Sequence, residues 1–137
     1  MFFKKNKEED EDKNFVKIAS LLIHAAKIDE NFSQTEEKII KEALLKLGAK
    51  NQNLESIIKA GKLMEENANQ ILDFTREVKN MNENKKIQII ETLWQIIYSN
   101  KEADIYETNL MRRLVGLLYV DNKTMGDIKE KIKKENS

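Results

Sequence analysis

The stretch from Lys85 to Val120 limits the choice of fold more than any other part of the sequence. Its first half carries apolar residues around most of a helix circumference, and its second half carries them at i, i+3, i+4 and i+7. The apolar residues are Ile87, Ile89, Ile90, Leu93, Trp94, Ile96 and Ile97 in the first half and Leu110, Met111, Leu114, Val115, Leu117 and Leu118 in the second. A polar break from Ser99 to Glu102 separates the halves. The stretch therefore predicts a helical hairpin whose first helix packs on several neighbours at the centre of the molecule.

The composition extends this prediction to the whole chain. The 137 residues include no proline, four glycines and no cysteine, so the sequence lacks the turn-formers of a sandwich or barrel. The absence of cysteine excludes disulfides, thiolate metal sites and cysteine nucleophiles. The chain is long enough for one domain with a substantial core. The predicted class is an all-α single-domain bundle of six or seven helices.

The charge and the termini predict a cytoplasmic protein. Lys and Arg together number 24, as do Asp and Glu, so there is no global field to attract nucleic acid or a membrane surface. Phe2 and Phe3 stand without the apolar run that a signal peptide needs, and no span approaches the roughly 18 apolar residues of a membrane helix. Peripheral membrane association through this N-terminal tip is an alternative. We expect protein partners and no nucleic acid.

Apolar periodicity divides the chain into a domain and two tails. We predict a charged N-terminal tail at residues 1–14, a helical domain at 15–128 and a basic C-terminal tail at 129–137. Inside the domain, the predicted helices before the central hairpin span residues 14–28, 33–48, a third from 53 and a fourth from 69, and a last amphipathic helix follows the hairpin. Ser33 is the predicted N-cap of the second helix and Gly48 its left-handed C-cap. The third helix is predicted to turn Leu54, Ile57, Ile58, Leu63 and Met64 inward.

The two helical hairpins repeat each other. A shift of 71 residues places Leu22 on Leu93, Asp29 on Asn100, Ser33 on Asp104, Glu36 on Glu107, Ile39 on Leu110, Ile40 on Met111 and Leu47 on Leu118. Such internal similarity predicts two copies of one supersecondary unit that bury their apolar faces against each other. We expect this pairing to bring the two polar breaks into comparable positions.

At these residues the chain resembles the TerB-like tellurite-resistance domain family, which is related to a domain of the co-chaperone DjlA. The resemblance lies in Ala25–Ser33 followed by Glu36, in Leu72–Arg76, and most specifically in Leu93–Val120. It covers Phe15 to Asp127. The family implies an all-α fold of about seven helices, an acidic site for divalent cations at the two breaks, and association with stress or membrane-linked complexes, without catalysis. This sequence departs from the family's Asp-Gly pattern at Asp29-Glu30 and Asn100-Lys101.

The acidic residues of the breaks can be explained in two ways. Carboxylate oxygens are the ligands that Ca²⁺ or Mg²⁺ prefers, which predicts a low-affinity metal site formed by Asp29, Glu36, Glu102, Asp104 and Glu107. Ser33-x-x-Glu36 also has the pattern of a capping box. In the second break, Asp104 fits an N-cap and Glu107 fits an acidic residue in the first turn of the helix. Capping satisfies helix-start amides without any ion.

Other candidate groups favour a non-enzymatic protein. His24 is the only histidine, and we expect it to be packed or at the rim of the core. The leading hypothesis is an interaction or adaptor module in a stress or tellurite-resistance-type response. One alternative is a purely structural homodimer, which requires an exposed apolar patch. Another is an accessory subunit that binds a phosphorylated or acidic ligand through Lys27, Arg112 and Arg113 in a basic pocket.

Overall fold

The computed structural model describes residues 2–27, 33–67, 72–99 and 105–135, which contain seven α-helices and, between the second and third of them, a 3₁₀ turn. The helices are α1 (Phe2–Ala26), α2 (Gln34–Lys46), α3 (Leu54–Asn67), α4 (Leu72–Lys79), α5 (Glu83–Tyr98), α6 (Ile105–Leu117) and α7 (Asn122–Glu135), and the 3₁₀ turn is Asn51–Asn53. No strand occurs in these ranges. The predicted all-α bundle is confirmed. Within the same ranges, no helix has the length and apolar character needed to cross a membrane.

Two helices, α1 and α5, share the centre of the bundle. The central position of α5 was predicted, and α5 packs against α1, α2 and α7. The sequence did not predict that α1 would be equally central, yet it packs against α2, α3, α4 and α5. Residues 18–23 of α1 are buried without interruption, including the hydroxyl-bearing Ser20. Burial around the whole circumference is what a core helix requires.

Both ends of the described chain are more helical than predicted. Helix α1 begins at Phe2, well before Asn14, and α7 continues to Glu135. The Lys and Glu residues that suggested solvated tails are also good helix formers and can pair at i, i+4. Ile132 is buried at 1% exposure, so the core extends past the predicted domain limit at residue 128.

The contact between α1 and α3 depends on a glycine. A Cβ added to Gly61 would lie 3.0 Å from the Ala19 Cβ and 3.4 Å from the Ser20 backbone nitrogen. The two helices are therefore as close as their side chains allow. Leu63, two residues later, is 54% exposed, so the prediction that it faces the core is wrong. Gly61, not Leu63, lies on the stripe that faces α1.

The 71-residue repeat is visible in the helix boundaries. Adding 71 to the bounds of α2 gives the bounds of α6, and adding it to Asn51, where the 3₁₀ turn begins, gives the start of α7. Buried positions follow the same shift. Pairs in which both members are buried include Leu22 and Leu93, Ile40 and Met111, Leu47 and Leu118, Leu54 and Met125, and Ile57 and Ile128. The predicted duplication of one helical unit is confirmed in the described residues.

The two copies also end their second helix in the same way. After α2, the Gly48 amide donates to the Leu45 carbonyl and the Ala49 amide to the Leu44 carbonyl, at 3.1 and 2.9 Å, which is a Schellman motif. Gly48 has φ +112°, so its prediction as a left-handed C-cap is confirmed. After α6, the Val120 amide donates to the Val115 carbonyl at 3.2 Å, and the intervening residue has φ +56°. That residue is Tyr119.

Candidate functional site

The directions of the helices define two ends of the bundle. One cavity is lined by Phe15 in the middle of α1, Lys85 near the start of α5 and Gly48 after the end of α2. The second half of α1 and helix α5 therefore lead away from this point, and α2 arrives at it. The residue after α6, Tyr119, lies against Lys79, which is close in sequence to the start of α5. We call this the cap end, and the opposite end, where α1 and α5 finish and α2 and α6 begin, the break end.

At the break end, Glu36 is held in a capping box. The Ser33 hydroxyl oxygen accepts from the Glu36 amide at 3.1 Å, and Glu36 Oε1 accepts from the Ser33 amide at 2.9 Å. The predicted N-cap is confirmed. The carboxylate of Glu36 is buried, at 2% exposure. One of its two oxygens is thus committed to the helix start, and a cation at this carboxylate would have to share it.

An ion-paired cluster also lies where α1 ends. Glu65 of α3 accepts from Lys27 Nζ at 2.8 Å through Oε2, and its Oε1 lies 3.2 Å from His24 Nδ1. Burial raises the pKa of the Glu65 carboxyl, but the hydrogen bonds from Lys27 and His24 outweigh it and hold the pKa below its usual range. The hydrogen bond that Lys27 donates to Glu65 raises the pKa of Lys27. His24 is at the rim of the core as expected, with 35% of its side chain exposed.

The Glu65 carboxylate was missed by sequence reasoning. Only contacts at i±4 on the same helix can be found from sequence spacing, whereas Glu65 comes from a helix 41 residues further along the chain. The cluster is arranged as a structural tie between α1 and α3. Ser20, one turn before His24, extends the same line of contacts by donating to the Gly61 carbonyl at 3.1 Å.

At the cap end, a groove of about 270 Å³ separates α4 from the end of α6. Its lining contains two cationic side chains and one exposed aromatic ring. The lining residues are Thr75, Arg76, Lys79, Gly116, Leu117 and Tyr119. Lys79 Nζ lies 4.6 Å from the centre of the Tyr119 ring, within the range of a cation–π contact. The sequence predicted none of the α4 residues of this groove as functional.

A comparison with known protein families gives a match over most of the chain. The family model described as tellurite resistance protein TerB matches residues 15–130, which span both copies of the repeat and both breaks. The chain belongs to the TerB family. No curated protein and no solved structure shows significant similarity to it. The resemblance inferred from the break residues is therefore confirmed over nearly the whole helical domain.

Most of the predicted cation ligands of this TerB domain lie outside the described residues. Asp29, Glu102 and Asp104 are in the gaps between described ranges, and the Glu107 side chain is likewise not described. Within the described part of the chain, no group of three or more His, Cys, Asp or Glu side chains is placed to hold a metal ion. The donor set is oxygen-rich, as a hard cation requires, and Glu36 fits it with one oxygen already shared. The metal site remains a prediction.

The basic residues proposed for an anionic ligand are dispersed in the TerB domain. Lys27 is paired with Glu65, and Arg112 and Arg113 are exposed on α6. The three cavities described in this structure are lined by other residues. Another basic side chain, Lys41 of α2, pairs with Glu55 at 2.8 Å. The described geometry thus gives no basic pocket beside Lys27, Arg112 and Arg113.

Proposed function

We propose that this TerB domain is a non-enzymatic interaction module in a stress or tellurite-resistance-type response, and that a divalent cation adjusts it at the break end. The observation that supports this is the shared direction of α2 and α6, which both begin at one end of the bundle. Their preceding breaks carry the densest oxygen donors of the repeat. The described cavities, about 100 to 270 Å³, are smaller than pockets that enclose substrates, which favours binding at a surface.

The cation would be Ca²⁺ or Mg²⁺, held with low affinity. Its ligands would come from Asp29, Glu36, Glu102, Asp104 and Glu107. Lys101 adds a positive charge in the second break and Asn100 replaces a carboxylate, so the site has fewer charged ligands than the family pattern. A cation that bridges the starts of α2 and α6 would favour one arrangement of the two hairpins and thereby change affinity for a partner.

The test compares two Asp→Asn variants with Ca²⁺ and Mg²⁺ titrations. Asp104→Asn keeps an amide oxygen that can cap α6 but removes the charge that a cation needs. Asp121→Asn is its matched control, because Asp121 caps α7 by accepting from the Thr124 amide at 2.7 Å. We expect calorimetry to show about tenfold weaker Ca²⁺ binding for Asp104→Asn, since ligand charge sets affinity, and unchanged binding for Asp121→Asn.

Thermal unfolding provides the second readout. A cation at ten times its dissociation constant stabilises the folded state by about 1.4 kcal/mol, which raises the unfolding midpoint. The proposal of a cation site would be refuted by an unchanged midpoint at millimolar Ca²⁺ and Mg²⁺, or by equal losses in the two variants. Either result would leave helix capping as the role of these acids.

The alternative of a purely structural homodimer receives less support from the described surface. Its large exposed apolar side chains are Leu45, Leu63 and Tyr119. They lie on α2, on α3 and after α6, so they do not form one helix face. A dimer interface of standard size requires a contiguous patch of several hundred Å² on each copy.

A further inference from the structure

Tyr119 occupies a position at which the repeat elsewhere has glycine. Gly48 and Tyr119 are 71 residues apart, and each is the left-handed residue that ends the second helix of its copy. Glycine adopts this conformation freely, whereas a residue with a side chain is strained by about 1 to 2 kcal/mol. The second copy therefore retains a conformational strain that the first copy avoids.

Burial does not compensate for this strain. The Tyr119 side chain is 69% exposed, so little of the hydrophobic stabilisation available to an aromatic ring is gained. Its contact with Lys79 is an exposed cation–π pair, which contributes about 0.5 to 1 kcal/mol. The left-handed backbone instead places an aromatic ring at the mouth of the α4–α6 groove. Strain of this kind is concentrated at binding sites.

The groove has the charge of a site for anions. Arg76 and Lys79 line it, and no acidic side chain among the described residues does. The guanidinium of Arg76 is exposed and makes no ion pair within the described residues. By contrast, Lys27 near the break end and Lys41 on α2 are paired with Glu65 and Glu55. Arginine and tyrosine are among the residue types most enriched at the centres of protein interfaces.

We propose that the α4–α6 groove binds an acidic peptide segment of a partner protein. Arg76 offers a planar fork that a carboxylate accepts in a bidentate manner. Lys79 adds a second positive charge, and Tyr119 provides a flat apolar surface beside it. The half-buried Leu117 forms an apolar floor for one side chain of the peptide. This inference rests on the proposed interaction role, and it assigns that role a surface and a partner chemistry.

The same end of the bundle contains a natural control. The cavity around Gly48 has a similar volume of about 250 Å³ and is lined by Lys85, but glycine takes the place of the exposed ring. It thus offers one cation, and its aromatic side chain is the half-buried Phe15 and not an exposed ring. If any positive charge at the cap end were sufficient for binding, the acidic peptide would bind at both cavities.

The test measures binding of a labelled ten-residue peptide, in which Glu and Asp flank one Tyr, by fluorescence anisotropy. The control peptide has Gln in place of each Glu and Asn in place of each Asp. Chelator is present throughout, so that the result is independent of any cation at the break end. We expect Arg76→Gln and Lys79→Gln each to weaken binding of the acidic peptide about tenfold, as for loss of a charge-assisted hydrogen bond. Lys85→Gln should leave it unchanged.

Tyr119→Gly separates binding from folding. It restores the residue that the first copy has, so we expect its unfolding midpoint to equal or exceed that of the natural sequence while peptide binding weakens at least fivefold. A merely structural tyrosine would lower the midpoint and leave binding unchanged. That result would overturn the proposal.

Three further outcomes would also overturn it. They are equal binding of the acidic and amide peptides, an effect of Lys85→Gln as large as that of Arg76→Gln, and displacement of the peptide by single-stranded DNA at lower concentration than by unlabelled peptide. Failure of peptide binding together with intact Ca²⁺ binding would refute the groove alone. Loss of Ca²⁺ binding with intact peptide binding would refute only the cation site.

Discussion

At the scale of single residues, local contacts were predictable and distant ones were not. Ser33 and Glu36 were identified as a capping box because both partners lie within one helical turn, and the spacing alone fixes their geometry. Gly48 was identified as a C-cap for the same reason. The pairing of Glu65 with His24 and Lys27 depends on α1 and α3 lying side by side, which no local spacing determines.

The Glu65 cluster predicts a specific response to acid. The pKa of Glu65 is lower in the folded state than its unfolded value of about 4.3. The stability it contributes is therefore present above that pH and is lost as pH falls through the lower, folded-state pKa. We expect Glu65→Gln to reduce the free energy of unfolding by about 1 kcal/mol at neutral pH, and the difference from the natural sequence to shrink steadily as the pH falls below the unfolded-state pKa.

Urea unfolding at a series of pH values measures this difference. Glu55→Gln is the control, because Glu55 pairs with Lys41 on the surface with 86% of its side chain exposed, and exposed pairs contribute little. A gap between Glu65→Gln and the natural sequence that stayed constant from pH 7 to pH 3 would contradict the assignment.

At the scale of helices, the pattern of apolar residues predicted which faces are buried better than where helices stop. The inward residues of α5 and α6 were largely correct, because a 3.6-residue period fixes a face once several members are known. The ends of α1 and α7 were placed too far inward, because charged residues occur both in solvated tails and in exposed helices. Leu63 was wrongly assigned to the core. The face of α3 that is buried is set by Gly61, where α1 comes close, and the sequence of α3 alone does not show this approach.

The α1–α3 contact gives a prediction with a matched control. Gly61→Ala should lower the free energy of unfolding by about 1 to 3 kcal/mol, because the new Cβ would lie 3.0 Å from that of Ala19 and overpack the contact. Gly126→Ala, in an exposed helical position of α7 with no atom within 4 Å of the new Cβ, should raise it by up to about 1 kcal/mol.

Chemical denaturation of the two variants in parallel decides this prediction. Equal stabilisation by both substitutions would show that α1 and α3 are further apart than the structure places them. The exposed glycine controls for the helix propensity of alanine, so only the packing of Gly61 distinguishes the pair.

At the scale of the whole molecule, the duplication was predictable from sequence, but the packing of the two copies was not. The shift of 71 residues could be found by comparing the chain with itself, and the structure reproduces it in α2 and α6. Helix α4 has no counterpart in the repeat, yet it packs on α1 and contacts α6. The cationic residues of α4 line the groove at the cap end. Because α4 lies outside the repeat, comparison of the two copies gave no indication of this site.

The shared core predicts that the two copies unfold together. Helix α5 of the second copy packs on α1 and α2 of the first, so neither copy retains its buried surface alone. Trp94 of α5, at 2% exposure, reports the second copy, whereas circular dichroism reports all helices. We expect coincident urea transitions by both methods, as in a two-state domain. Transitions at different urea concentrations would mean that the copies are separate folding units.

The alternating directions of the helices affect the field around the molecule. Helices α1, α3 and α5 run towards the break end, and α2 and α6 run towards the cap end, so their macrodipoles partly oppose each other. The formal net charge of the side chains is also zero. Among the described residues, a few side chains contribute to the sign of each end, such as Arg76 and Lys79 at the cap end and Glu36 at the break end. One or two substitutions can therefore change the local charge at one end of the bundle without changing the charge at the other end.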